Sequence, residues 1–249
     1  MDRDFLQGHL DIDFPAQPFH SAFRLLLRSA VLFFANLRFL AAVTLVVYLP
    51  AKLALQFALY ALHVPTSGVV SYLALDIGDL VLGALAIPAV IYGLVAKLRG
   101  GKTAPVLESL RWGRRQWGKT LWNMFKVEVT VALWGALLLI PGLVAMVRLI
   151  FAEAIVAIEA DRQTEVLARS RVLTKGHGWR IFLVLLPLLA ASLVGSFLLL
   201  GAFADAAWPR VVIAVTDSLL SVGGQFTTVA VLLMYLGVVR PAAPAKAPR

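Results

Sequence analysis

Cysteine is absent from the 249 residues. That absence excludes a disulfide framework, thiolate metal sites and a cysteine nucleophile together. Charge is scarce as well: 15% of residues are Asp, Glu, Lys or Arg, against about a quarter in soluble domains. The four histidines, His9, His20, His63 and His177, are scattered without ligand spacing, so no metal is expected. No G-x-S-x-G elbow occurs. Asp11 and Asp13 alternate near the start and read as a solvated acidic leader or a capping element rather than a catalytic pair. A secretory signal is missing too: MDRDFLQGHLDIDFPAQPFH is polar and carries four aspartates where a basic and then apolar region would stand. The hydrophobic segments are therefore expected to stay in the mature protein. No catalytic residue and no cofactor is expected, and the chain reads as non-enzymatic.

What is abundant is apolar surface. Hydrophobic residues make up 60% of the chain and the mean hydropathy is +0.85, above the range of soluble globular domains. A bilayer core of roughly 30 Å is crossed by about 20 apolar residues in a helix. Six stretches qualify: Phe39–Leu62, Val70–Ala96, Thr120–Ile140, Leu143–Ile158, Ile181–Phe203 and Val211–Val239. The fourth is short. The third and fourth meet at Ile140-Pro141-Gly142, which is either a tight turn or a kink in one long helix.

The few charges are mostly basic, with a net +9, and they decide between these readings. Arginine and lysine number 4 in residues 1–38, 8 in 97–126, 5 in 159–180 and 3 in 240–249. A turn at Pro141-Gly142 puts all four stretches on one face, whereas a kink splits them. The positive-inside rule therefore favours six spans with both termini cytoplasmic. Trp112, Trp117, Trp122 and Trp179 fall near that face and Trp208 near the other, as an aromatic belt requires, while Trp134 is expected to lie deep.

The basic stretches are themselves patterned. Ser21–Arg38, Pro105–Lys119 and Glu165–Lys175 read as amphipathic helices, the last ending at Gly176, a C′ glycine. Such helices lie in the interface, with their basic side toward anionic headgroups. The expected architecture is all-α: a polar segment 1–20, one membrane domain 21–239 built as three hairpins, each preceded by a basic amphipathic helix, and a Pro/Ala tail 240–249. Arg28-Ser29 and Arg169-Ser170 occupy matching places in the first and third units. The expected headgroup contacts are Arg111, Arg114, Arg115, Lys119, Arg169, Arg171, Lys175 and Arg180.

Gly113–Thr120 reads GRRQWGKT and fits the phosphate-loop pattern G-x-x-x-x-G-K-[ST]. A phosphate loop follows a buried strand and opens a helix of a soluble α/β domain. Here a basic amphipathic helix precedes it and a membrane span follows. Lipid phosphate, not a nucleotide or nucleic acid, is the expected partner of these cations.

Charges within the spans are costly and define functional candidates by default. Lys52 and Asp79 come to similar depth in the first hairpin, and Arg148 and Asp217 to similar depth in the fourth and sixth spans, so two structural ion pairs are expected. Asp76 and Glu153 are left without assigned partners.

Ala152–Phe182, AEAIVAIEADRQTEVLARSRVLTKGHGWRIF, resembles a broad group of bacterial six-helix inner-membrane families of the YciC and YckC type. These are similar to the membrane part fused to some glycerophosphodiester phosphodiesterases. The matching positions are Glu159, Ala168, Arg169, Ser170, Leu173, Thr174, Lys175, Gly176 and Trp179, together with the I-P-G turn at Ile140–Gly142. The resemblance implies the fold and an inner-membrane location, and carries over no catalytic residue. The function expected from these features is a self-associating protein that organises or encloses phospholipid as a homo-oligomer. The alternative is a transporter, or a subunit of one, using Asp76, Asp79, Glu153 and Asp217.

Overall fold

The computed structural model describes residues 21–65, 69–159, 165–204 and 210–239, with side chains left aside over 196–204. The leader 1–20, the tail 240–249 and Trp208 lie outside these residues. The described chain is all-helical: α1 Ala22–Ala35, α2 Leu37–Ala61, α3 Val69–Gly100, α4 Val106–Leu137, α5 Leu139–Leu149, α6 Ala152–Ile158, α7 Val166–Thr174, α8 Gly178–Ala204 and α9 Arg210–Val239. Five stretches are long and apolar enough to cross a membrane: Leu37–Ala61, Val69–Gly100, Leu139–Ile158, Gly178–Gly195 and Arg210–Val239. The remaining expected span, Thr120–Ile140, falls in the second half of α4, where Asn123, Lys126 and Glu128 dilute the apolar run.

Local chemistry sets the boundaries. Ser21 caps α1 by accepting from the Arg24 N–H, one of the orphan donors at a helix start. Asn36 separates α1 from α2, its side-chain amide donating to the Leu32 carbonyl at 2.7 Å. The turn after α4 falls at Leu138, which is extended, so Pro141-Gly142 belong to the first turn of α5 rather than to the turn itself. Proline is free of cost there because its missing N–H has no partner in a first helical turn. Gly142 is needed for contact: a Cβ on it would lie 2.7 Å from the Gly135 Cα on α4. The chain does reverse near the expected position, and α5 packs back along α4.

α3 is the central helix, packed against α2, α4, α6 and α9; α9 also lies along α2 and α1. α8 leans on α1 and α5 more than on α9, its neighbour in sequence. The main core joins Leu40 and Val43, Ala89–Val95, Val147–Ala157, Ile181–Leu188 and Val229–Tyr235. All of these lie toward one end of the bundle, where α3 finishes in Lys97 and Arg99 and α4 begins. We call this the basic end, and the opposite one, where Arg210 donates to the Val64 carbonyl at 2.6 Å, the far end. Lipid is as apolar as leucine, so close packing of small residues and buried hydrogen bonds hold such helices together.

Burial reveals one recurring pattern. Ser29, Phe33, Asn36 and Leu40 are buried at i, i+4, i+7 and i+11. Ser109, Gly113, Gln116 and Thr120 repeat that spacing on α4, and Ser170, Thr174 and Ile181 repeat most of it on α7 and α8. Each basic amphipathic stretch is thus seated through a fully buried serine. The middle one, Ser109, lacks the Arg-Ser signature of the other two.

Candidate functional site

Lys52 is the largest anomaly of the interior. It is 1% exposed within the apolar helix α2. A buried ammonium requires both charge and hydrogen-bond partners, and three helices supply them. Its Nζ lies 2.8 Å from Asp79 Oδ1 of α3 and 2.5 Å from Asp217 Oδ2 of α9. It donates to Ser221 Oγ at 3.3 Å and sits 5.2 Å from the centre of the Tyr48 ring, a cation–π distance. The triad joins elements far apart in sequence, so it holds α2, α3 and α9 in one arrangement.

Lys52 is paired with Asp79, and Asp217 is paired with Lys52 rather than with the expected Arg148. Arg148 is exposed on α5, which packs against α4, α7 and α8, whereas α9 packs against α2, α1 and α3. Equal depth does not make two helices neighbours. The two expected pairs are therefore replaced by one lysine between two aspartates. Asp76 is exposed on α3. Glu153, half-buried on α6, has no hydrogen-bond or ion-pair partner among the described residues, and Tyr48 lies within its electrostatic reach.

Lys52 also belongs to a stripe. Thr44, Tyr48, Lys52 and Gln56 follow at four-residue spacing on the buried face of α2. On α9, Asp217, Ser221, Gln225 and Thr228 form a second stripe, its last two members buried. Neither stripe was connected to Lys52 in the sequence. The four-residue spacing in α2 was the available signal, and averaging hydropathy over a span removes it.

The basic end contains a second network. Glu159, whose side chain is 6% exposed, accepts from the Tyr235 hydroxyl at 2.6 Å and lies 3.6 Å from Arg169. Arg169, expected at headgroups, is thus also an internal partner of Glu159. A buried carboxylate needs a cation more than the surface does. Ser170 has its own task. The break at Ile150-Phe151 between α5 and α6 frees the Arg148 carbonyl and the Phe151 N–H; Ser170 Oγ donates to the first at 2.8 Å and accepts from the second at 3.3 Å. Thr174 donates to the Ser170 carbonyl, and Gly176 takes φ +84° as the expected C′ glycine.

GRRQWGKT is helical throughout, inside α4. Its backbone N–H groups point along the helix rather than into a cradle. Gly113 meets α3 so closely that a Cβ would stand 2.3 Å from the Leu85 carbonyl, whereas Gly118 faces open space. Gln116 and Thr120 are buried; Arg111, Arg114, Arg115 and Lys119 are exposed. Arg171, Lys175 and Arg180 are exposed on and after α7. Two tryptophans tie helices together: Trp112 Nε1 donates to the Ala157 carbonyl and its ring stacks on Tyr92, which donates to Glu108 at 2.7 Å. Trp117 Nε1 donates to the Val81 carbonyl. Trp134 is half exposed and one turn from the end of α4.

No family model matches the chain, and no curated protein or solved structure matches it.

Proposed function

We propose that the chain is a six-span protein of the bacterial inner membrane that self-associates and organises or encloses phospholipid, gripping anionic headgroups at its basic end. In this reading the second half of α4 is the third span, both termini are cytoplasmic, and α1, the first half of α4, and α7 are interfacial. The proposed kinship is with the YciC and YckC type families. The supporting observation is the exposure of Arg111, Arg114, Arg115, Lys119, Arg171 and Lys175 around the end where the helices are most tightly packed. α1 adds an outward ridge of Phe23, Leu27, Val31 and Phe34 beside Arg24 and Arg28, the composition of an interfacial helix. Near an anionic surface each basic residue contributes about 1 kcal/mol, so the group acts together.

Native mass spectrometry from nanodiscs tests the reading. The expected result is an oligomer retaining anionic phospholipid, with retention falling in an R111Q/R114Q/R115Q/K119Q variant. A bare monomer from lipid-containing nanodiscs refutes it. A second reading, movement of a solute across the bilayer, is favoured by the Lys52–Asp79–Asp217 triad.

A further inference from the structure

The interior holds more polar atoms than the chain can satisfy. Among the described residues, Thr44 Oγ1, Gln56 Oε1, Gln116 Oε1, Thr120 Oγ1 and Gln225 Oε1 are buried without a hydrogen-bond partner. Thr44 and Gln56 flank Lys52 on one face of α2, and Gln225 lies one turn beyond Ser221 on α9. Gln116 and Thr120 stand on the α4 face whose next turn carries Met124; Met124 and the Tyr48 hydroxyl both approach Gly83 of α3. An unsatisfied polar group in a dry bilayer interior is strongly disfavoured. Polar sites of this kind hold ordered water.

The run is also long. Thr44 to Gln56 covers about 18 Å of helix at 1.5 Å per residue, and α9 runs antiparallel beside it, as Lys52–Asp217 and Arg210–Val64 require. Its charged side chains are one lysine against two carboxylates, Asp79 and Asp217.

We propose that the seam between α2 and α9 is a hydrated path through the bundle that admits water and small cations, with the Lys52 triad as its charged station toward the far end. The path rests on the transport reading only for what moves through it; its hydration stands independently.

The absence of native cysteine makes the test direct, because thiols react with methanethiosulfonates only where water lets them ionise. Thr44→Cys, Gln56→Cys and Gln225→Cys, in full-length protein in liposomes, are compared with the equally buried apolar positions Val43→Cys and Val229→Cys. A trimethylammonium reagent and a sulfonate reagent are applied to both faces, with rates normalised to a free thiol. The expected result is labelling of the three seam cysteines at least about tenfold faster than the apolar pair, with the cationic reagent favoured at Gln56→Cys. Equal rates at seam and apolar positions, or preference for the anionic reagent, overturns the proposal. Radiolytic water footprinting of the unaltered protein checks it without substitution: Tyr48 is modified well above Phe151, and equal protection of the two overturns the hydrated path. Labelling without cation flux from loaded liposomes removes the transport reading and leaves the hydrated seam in place.

Discussion

The two ends of the bundle are built on different physics. At the basic end helix breaks and starts are tied by side chains: Ser170 bridges the break before α6, Trp112 takes the carbonyl of Ala157, and Glu159 joins Arg169 to Tyr235. The tightest packing of α3, Gly83–Val95, lies in this half. Toward the far end Val69, Leu73, Leu133, Leu137, Ile140 and Leu193 are exposed. There the Lys52 triad holds α2, α3 and α9, and Arg210 ties the start of α9 to the Val64 carbonyl. A membrane protein can leave apolar surface to lipid, but each polar group in the interior must be met. The basic end meets its groups through several hydrogen bonds, and the far half through the Lys52 triad and the Arg210–Val64 hydrogen bond.

The comparison breaks most sharply at Lys52. Lys52→Met strands two carboxylates, and removal of one partner from a buried ion pair costs about 3–5 kcal/mol. Thermal unfolding in mild detergent should show a large loss, partly recovered in K52M/D79N/D217N. An unaltered midpoint removes the triad from its structural role.

Next come the glycines of GRRQWGKT. Gly113→Leu drives a side chain into the α3 backbone and is expected to cost about 1–3 kcal/mol or more. Gly118→Ala meets open space and should be neutral, or stabilising by up to about 1 kcal/mol through helix propensity. Equal effects at the two positions contradict the packing of α4 on α3.

At the basic end, Ser170→Ala leaves the Arg148 carbonyl and the Phe151 N–H without their partner, a loss of about 1–3 kcal/mol, read as a lower unfolding midpoint with unchanged helix content. The smallest effect is expected in the far half, where Leu133→Ala on an exposed face should change stability by less than about 0.5 kcal/mol. A large loss there identifies a covered face and so a partner.

Much of this was legible in the sequence. Apolar runs placed the helices within a few residues, and depth matching found Lys52–Asp79 because sequential antiparallel helices are neighbours. The same method failed for Asp217, since depth says nothing about which distant helices touch. Pro141-Gly142 drew the turn three residues too late: both residues favour turns, yet proline sits equally well in a first helical turn. Arg169 read as surface because its partner, Glu159, is ten residues away across a connection. The polar stripes on α2 and α9 were hidden for another reason: each carries a majority of apolar neighbours, and only a four-residue register brings them out.

A double-mutant cycle tests the central assignment most directly. Unfolding free energies are compared for Lys52→Met, Asp217→Asn and the double variant, and likewise for Arg148→Met with Asp217→Asn. The structure predicts coupling of about 1–3 kcal/mol for Lys52 with Asp217, and additivity within about 0.5 kcal/mol for Arg148 with Asp217. Coupling of Asp217 to Arg148 and not to Lys52 would contradict the arrangement of α2, α3 and α9 on which the rest depends.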